Sequence, residues 1–288
     1  MAASNSSRVW FITGASTGFG RLLAEEVLRR GERVIATARN AGKVADLAKT
    51  HPDRARAFAL DVTKPAEITS VAQKAIAAFG QVDVLVNNAG YGLTGAVEEV
   101  SEDEFEPMFQ TNIYGVIRTT RAFLPHFRER RSGHIINFSS ISGLIGTAGW
   151  AYYNASKFAV EGFSEALADE LKPLGIRVTI IEPGPFRTDF LGRSGKLAQL
   201  EIPDYARTAG RAREYLRSQA GKQLGDPQKA VEAVVQVVDS PNPPLHLLLG
   251  KMALKRFRDK LALWQKEIAS WENVTTGADF AEVEKRAS

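Results

Sequence analysis

Short apolar runs alternate with helical patterns along most of this 288-residue chain, and that alternation leaves few folds open. Residues 8–13 read as a buried strand. Residues 18–30 read as a helix with Leu22, Leu23, Val27 and Leu28 on one side, stopped by Gly31. Further strands are expected at 34–38, 55–60, 82–86, 135–138, 176–181 and 245–249. Helices are expected at 41–49, 65–79, 101–130 and 151–172, with Pro107 and Pro125 interrupting the third. Strands separated by helices pair in parallel through right-handed crossovers. The expectation is one α/β domain over residues 1–288, a seven-stranded parallel sheet doubly wound by helices on both faces. Ligands then bind at the carboxyl ends of the strands. Residues 190–225 carry several Gly and Arg without a core pattern and are expected to form a substrate loop or lid over that edge. Residues 275–288 are expected to be a disordered tail.

Composition removes several function classes. With no cysteine there is no disulfide framework, thiol nucleophile, Cys-ligated zinc or iron–sulfur cluster. Lys and Arg number 37 against 33 Asp and Glu, an excess too small for a nucleic-acid footprint. The one basic cluster, Lys251, Lys255, Arg256, Arg258 and Lys260, reads as the solvated side of an amphipathic helix. The longest run without charge, Ser132 to Ser156, is too rich in Ser, Gly and Asn to span a membrane. No signal-peptide pattern precedes residue 8, so a cytoplasmic protein without nucleic-acid or membrane partners is expected. The four histidines show no metal-ligand spacing, and no metal is expected.

The first strand runs into Thr13-Gly14-Ala15-Ser16-Thr17-Gly18-Phe19-Gly20 and then a helix. Glycines in that place allow a tight turn, let backbone N–H groups approach a pyrophosphate, and permit close helix–strand packing. The helix N-terminus faces the negative charge. Together with the β/α pattern this predicts a Rossmann-type dinucleotide site. The end of the second strand reads Ala36-Thr37-Ala38-Arg39-Asn40, with no acid before Asp46. Arg39 lies 19 residues after Gly20, where an acid would accept from a ribose hydroxyl and Arg matches a 2′-phosphate. NADP(H) is therefore favoured over NAD(H).

Tyr153 and Lys157 stand four residues apart at the start of the helix over 151–172, on one face. A nearby ammonium favours the phenolate, which suits an acid/base group near neutral pH. Ser140 lies 13 residues before Tyr153, just past the fifth strand, with Ser139 and Ser142 as rivals on chemistry alone.

These residues together resemble the short-chain dehydrogenase/reductases over about residues 8–190. Gly14, Ser16, Thr17, Gly18, Phe19 and Gly20 look like the family's coenzyme turn, and Asp61-Val62 its adenine-contacting pair. Asn87-Asn88-Ala89-Gly90 is similar to its strand-four signature, and Asn112 to its catalytic asparagine. The resemblance selects Ser140 among the serines and Tyr153 over Tyr152, and matches Pro183, Gly184 and Thr188 to the loop that contacts nicotinamide. Finer features (Asn87 to Gly92, Thr37 with Arg39, and 182–190) look like the branch of 17β-hydroxysteroid and retinol dehydrogenases.

What the resemblance implies is an oxidoreductase moving a hydride between nicotinamide and a carbonyl or a primary or secondary alcohol. Asn112, Ser140, Tyr153 and Lys157 would be catalytic, with Tyr153 as acid/base. Tyr153 and Lys157 would also bind coenzyme, and Asn112 would bend its helix and anchor a water. The competing reading is a nonenzymatic NADP(H)-binding sensor or scaffold on the same fold. A partly apolar small molecule is the expected substrate, with Leu93, Leu144, Ile145, Trp150, Phe186 and Phe190 as candidate lining or core. The helices at 101–130 and 151–172 resemble those that pair in family dimers and tetramers, so a homodimer or homotetramer is one implied arrangement.

Overall fold

The computed structural model describes residues 7–190, 192 and 194–280. Seven parallel strands form one sheet in the order β3-β2-β1-β4-β6-β7-β9. They are β1 (Val9–Ile12), β2 (Arg33–Ala38), β3 (Ala55–Ala59), β4 (Val84–Asn87), β6 (Gly133–Phe138), β7 (Ile176–Pro183) and β9 (His246–Leu249). Each begins within two residues of its expected start, because continuous Val, Ile, Leu and Phe runs suit strands buried on both faces.

Helices cover both faces. On one side α1 (Gly18–Arg29), α2 (Ala45–Thr50) and α8 (Pro227–Asp239) cover a core of Trp10, Ile12, Leu23, Val27, Val231, Val234 and neighbours. On the other, α3 (Pro65–Phe79), α5 (Gly115–Arg130) and α6 (Ala151–Leu171) enclose Phe11, Leu85, Phe123, Phe127 and Ile135. α8 has no counterpart among the expected elements, although Val231, Val234, Val235 and Val238 repeat at helical spacing. Its start is set by Pro227 at the first turn and by the Asp226 carboxylate accepting from the Gln228 N–H at 2.9 Å.

The region expected as one interrupted helix over 101–130 is divided differently. α4 (Glu102–Phe109) contains Pro107 without stopping there. Gln110–Tyr114 forms a single π-helical turn, and α5 carries Pro125 inside it. The disturbance therefore falls at Asn112, not at either proline, and such turns occur mostly where a side chain is put to use.

Residues expected as a lid contain a strand β8 (Gly195–Leu197) paired in parallel with β5 (Gly92–Thr94), followed by α7 (Ala209–Ser218). Positions 191 and 193 within that segment lie outside the described residues. The last helix among the described residues is α9 (Lys251–Thr276), so Thr275 and Thr276, placed in the expected tail, are helical, while 281–288 lie outside the described residues. Among the described residues no helix is long and apolar enough to cross a membrane.

Candidate active site

A crevice of about 1350 Å³ opens at the carboxyl ends of the strands, where the sheet order reverses between β1 and β4. Gly14, Ser16, Thr17, Gly18, Phe19, Arg39, Asp61, Val62, Asn88, Ala89, Gly90, Ser140, Tyr153, Lys157, Pro183, Gly184 and Thr188 all line it. Gly20 and Asn112 do not, and both act from behind the wall.

The glycine turn is shaped by close approach. Gly14 takes φ +65°, a conformation that favours glycine. A Cβ on Gly20 would stand 2.4 Å from Asn88 Nδ2 and 2.6 Å from the Gly14 carbonyl. That amide of Asn88 donates to the carbonyls of Thr13 (2.9 Å) and Gly14 (3.1 Å). The Asn88 and Ala89 backbone N–H groups donate to Thr13 Oγ1 at 3.0 and 3.1 Å. The segment after β4 is thereby fastened to the turn after β1. Phe19 stacks on Phe138 and meets the edge of Phe186, while Thr188 comes within 3.8 Å of a Cβ placed on Gly18.

At the end of the crevice beside β2 and β3, Arg39 is exposed and makes no hydrogen bond or ion pair among the described residues. Lys43, in the 3₁₀ turn Ala41–Lys43, lines the same end. It was missed by sequence reasoning, although a cation four residues after Arg39 on a tight turn was there to be read. Asp61 accepts from the backbone and hydroxyl of Thr63 at 3.0 and 2.8 Å. Burial opposes its charge, but those bonds, with Lys64 and Arg39 nearby, hold its carboxyl below the ordinary range.

The four residues expected to be catalytic come from three elements. Tyr153 and Lys157 come from α6, both buried. Ser140 caps the short turn after β6, its Oγ accepting from Ser142 N at 3.1 Å and donating to the Pro183 carbonyl at 3.4 Å. Lys157 Nζ donates to the Phe138 carbonyl at 2.8 Å and lies 5.8 Å from the centre of the Tyr153 ring. Burial pulls the lysine down to about 8, opposed by Glu161. Burial pushes the Tyr153 phenol upward, opposed by the Ser140 hydroxyl. Lowering of the tyrosine by the lysine is thus not the dominant effect here: the phenol's own burial is.

Asn112, fully buried on the π turn, accepts from Tyr91 N (3.0 Å) and donates to the Tyr91 carbonyl (2.9 Å) and Ser156 Oγ (3.1 Å). A Cβ on Gly90 would meet Asn112 Oδ1 at 3.1 Å and Lys157 Nζ at 3.6 Å, so these groups close on one point. Of the rival residues, Ser139 and Ser142 also line the crevice, with Ser139 Oγ set beside Glu161 against Gly143, and Tyr152 bonds the Val97 carbonyl.

Beside Tyr153 the crevice is walled by Trp150 and Phe190, whose rings flank it at 5.8 and 5.5 Å. Phe186 lines the crevice as well, while Leu144 and Ile145 do not and Leu93 belongs to the core around Tyr153. Lys196 from β8, Arg207 from the turn before α7, Arg211 and Tyr215 from α7, and Arg256 from α9 also reach it. Arg256 donates to Thr147 Oγ1 at 2.8 Å and Lys260 to the Leu144 carbonyl, so two of the five clustered cations fasten α9 rather than face solvent. His246 is also more than a spacer. Its Nδ1 bonds Glu182 Oε1 at 2.7 Å and lies 3.7 Å from Glu161 Oε2.

The short chain dehydrogenase profile matches residues 8–197. An oxidoreductase of Botryotinia fuckeliana, BOA17, is 39% identical over 250 residues, covering 86% of this chain and 91% of its own. Human retinol dehydrogenase 8 is 38% identical over 251 residues, covering 83% and 80%. A short-chain dehydrogenase structure from Streptomyces avermitilis superposes with a TM-score of 0.89 at 43% identity, over 96% of this chain and all of the other. A Burkholderia phymatum structure in complex with NAD (TM-score 0.78, 25% identity, 90% and 95% coverage) and a serine dehydrogenase complexed with NADP+ (0.72, 31%, 84% and 94%) share the fold. The chain belongs to the short-chain dehydrogenase family of oxidoreductases.

Proposed function

We propose that the protein is an NADP(H)-dependent short-chain dehydrogenase/reductase that interconverts a partly apolar carbonyl compound and its alcohol. The observation that carries this reading is the convergence of Tyr153, Ser140 and Lys157 on one crevice floored by the glycine turn. The crevice fits a dinucleotide: glycine backbone stands where side chains would block a pyrophosphate, and the volume exceeds what one small ligand fills. Gly14 to Gly20 would hold the pyrophosphate, Asp61 and Val62 the adenine, and Asn88 to Gly90, Pro183, Gly184 and Thr188 the nicotinamide half. Arg39, with Lys43, would take the 2′-phosphate. When bound, the nicotinamide supplies or accepts the hydride.

The chain's own residues handle the proton and the geometry. Burial keeps the Tyr153 phenol neutral, the form that protonates a carbonyl oxygen. In the reverse direction Tyr153 takes the alcohol proton. Ser140 donates to the substrate oxygen and, by stabilising phenolate, eases the return of the tyrosine proton. Lys157 would hold the coenzyme's ribose hydroxyls. Asn112 positions Tyr91 and Ser156 around it. Trp150 and Phe190 confine an apolar substrate beside the phenol. Residues 190–225 form the substrate-side wall.

NADPH oxidation across a panel of aromatic, steroid and long-chain carbonyls tests the reading. Turnover in wild type that vanishes in Tyr153→Phe, with coenzyme binding kept, is the expected result. Coenzyme binding without turnover on any carbonyl or alcohol would favour the sensor or scaffold.

A further inference from the structure

The last helix carries more apolar surface than its own fold covers. α9 is 26 residues long, about 39 Å. Its first turns are fastened: Ala253 is buried near Gly184, and the Lys260 ammonium lies over the rings of Phe158 (5.2 Å) and Trp264 (4.3 Å). From Leu261 onward every described residue is exposed. Yet Leu254, Phe257, Leu261, Trp264, Ile268 and Trp271 follow one another by three and four residues, the a/d spacing of a helix-pairing seam. Trp264, Ile268 and Trp271 are 51%, 62% and 64% exposed. Single exposed apolar residues are ordinary, whereas a continuous stripe ending in two tryptophans marks a contact surface.

We propose that this stripe is where two copies of the chain associate, their α9 helices lying antiparallel. Charge identifies the occupant. The first half of α9 carries Lys251, Lys255, Arg256, Arg258 and Lys260 against Asp259, while the projecting half carries Lys266 against Glu267 and Glu272. An antiparallel pair lays the basic half of each helix on the acidic half of the other, and a parallel pair sets like on like. One surface serves both copies, as twofold symmetry requires, and the two bodies fall at opposite ends of the seam. Trp264 and Trp271 of the two copies, little more than half exposed before pairing, add about a third of the roughly 1,200 Å² at which stable interfaces begin, and Leu254, Leu261 and Ile268 add to it. A lipid surface fits less well, since helices that lie on membranes gather Lys and Arg on their polar face and the projecting half is net acidic.

Light scattering after size exclusion of the full chain tests this. Wild type is expected at twice the single-chain mass or an even multiple. Ile268→Glu/Trp271→Glu is expected to halve that mass with the circular dichroism spectrum and coenzyme binding unchanged. Arg258→Glu and Glu272→Arg should each weaken association about tenfold or more, and the two together should restore it. A wild type of single-chain mass throughout the micromolar range, an unchanged mass in the Ile268/Trp271 variant, or no rescue by the charge swap would each overturn the proposal. Single-chain protein that sediments with phosphatidylserine vesicles would overturn it in favour of a lipid surface.

Discussion

Arg213 on α7 and Glu99 before α4 form an ion pair of 2.8 Å with both side chains almost wholly buried. The Glu99 carboxylate also accepts from the backbone of Ala96 (2.6 Å) and Ile202 (2.8 Å). Burial works against its charge, and Arg213 with these bonds more than offsets that, holding the carboxyl below its ordinary range. The α7 side of the crevice is therefore fastened to the body by a charge pair that cannot lose one member cheaply.

Arg213→Met would leave a buried carboxylate unpaired, a change that costs roughly 3–5 kcal/mol. Urea denaturation should show a loss of that size. Limited proteolysis should cut first between residues 195 and 222. Unchanged stability would mean that Glu99 finds a second partner.

Tyr153→Phe should lower turnover at least a hundredfold, since positioned acid/base groups contribute about 10²–10⁴. Coenzyme affinity should change little, because the phenol rather than the ring is removed. Steady-state kinetics beside a binding titration separates the two effects.

Gly20→Ala introduces a Cβ that meets Asn88 Nδ2 at 2.4 Å and the Gly14 carbonyl at 2.6 Å, one of them backbone. The turn must shift, so coenzyme affinity should fall by a factor of ten or more. Isothermal titration checks this. Gly146→Ala, whose Cβ meets nothing within 4 Å, serves as the control.

Stability should decline between about pH 5 and pH 8. Glu161 is raised from 4.5 to about 8, by burial first and by Glu182 and Glu165 as well, against Ser139 and His246. A carboxyl raised on folding contributes fully below its unfolded value and loses that contribution as pH rises through its folded value. His246, raised by its bond to Glu182, acts in the same direction. Glu161→Gln should flatten the melting temperature between pH 5 and 8 and raise it at pH 8. An equal slope in the variant would assign the loss elsewhere.

The sheet and the site were legible in the sequence to different degrees. Strand runs such as Val9 to Ile12 and the glycine turn are local signals, and the structure follows them closely. Tyr153 and Lys157 were readable because one helix sets their spacing. Asn112 and a bend of its helix were implied by the resemblance, but the π form of that bend was not readable, and the bonds of its side chain to Tyr91 and Ser156 join residues distant in sequence. The Glu161, Glu182 and His246 cluster was invisible for the same reason: α6, β7 and β9 bring it together only in the folded sheet. Segment 190–225 lacked periodicity because β8 is a three-residue strand and the anchor of α7 is a single arginine.

The central claim rests on a dinucleotide crevice whose adenine end carries Arg39. Fluorescence titration of NADPH and NADH against wild type and Arg39→Ala tests it most directly. The account predicts tighter NADPH binding in wild type and a selective loss of about tenfold or more in the variant, with NADH affinity little changed. Equal affinity for both coenzymes, or a preference for NADH, would contradict the 2′-phosphate assignment, and binding of neither would contradict the reading of the crevice itself.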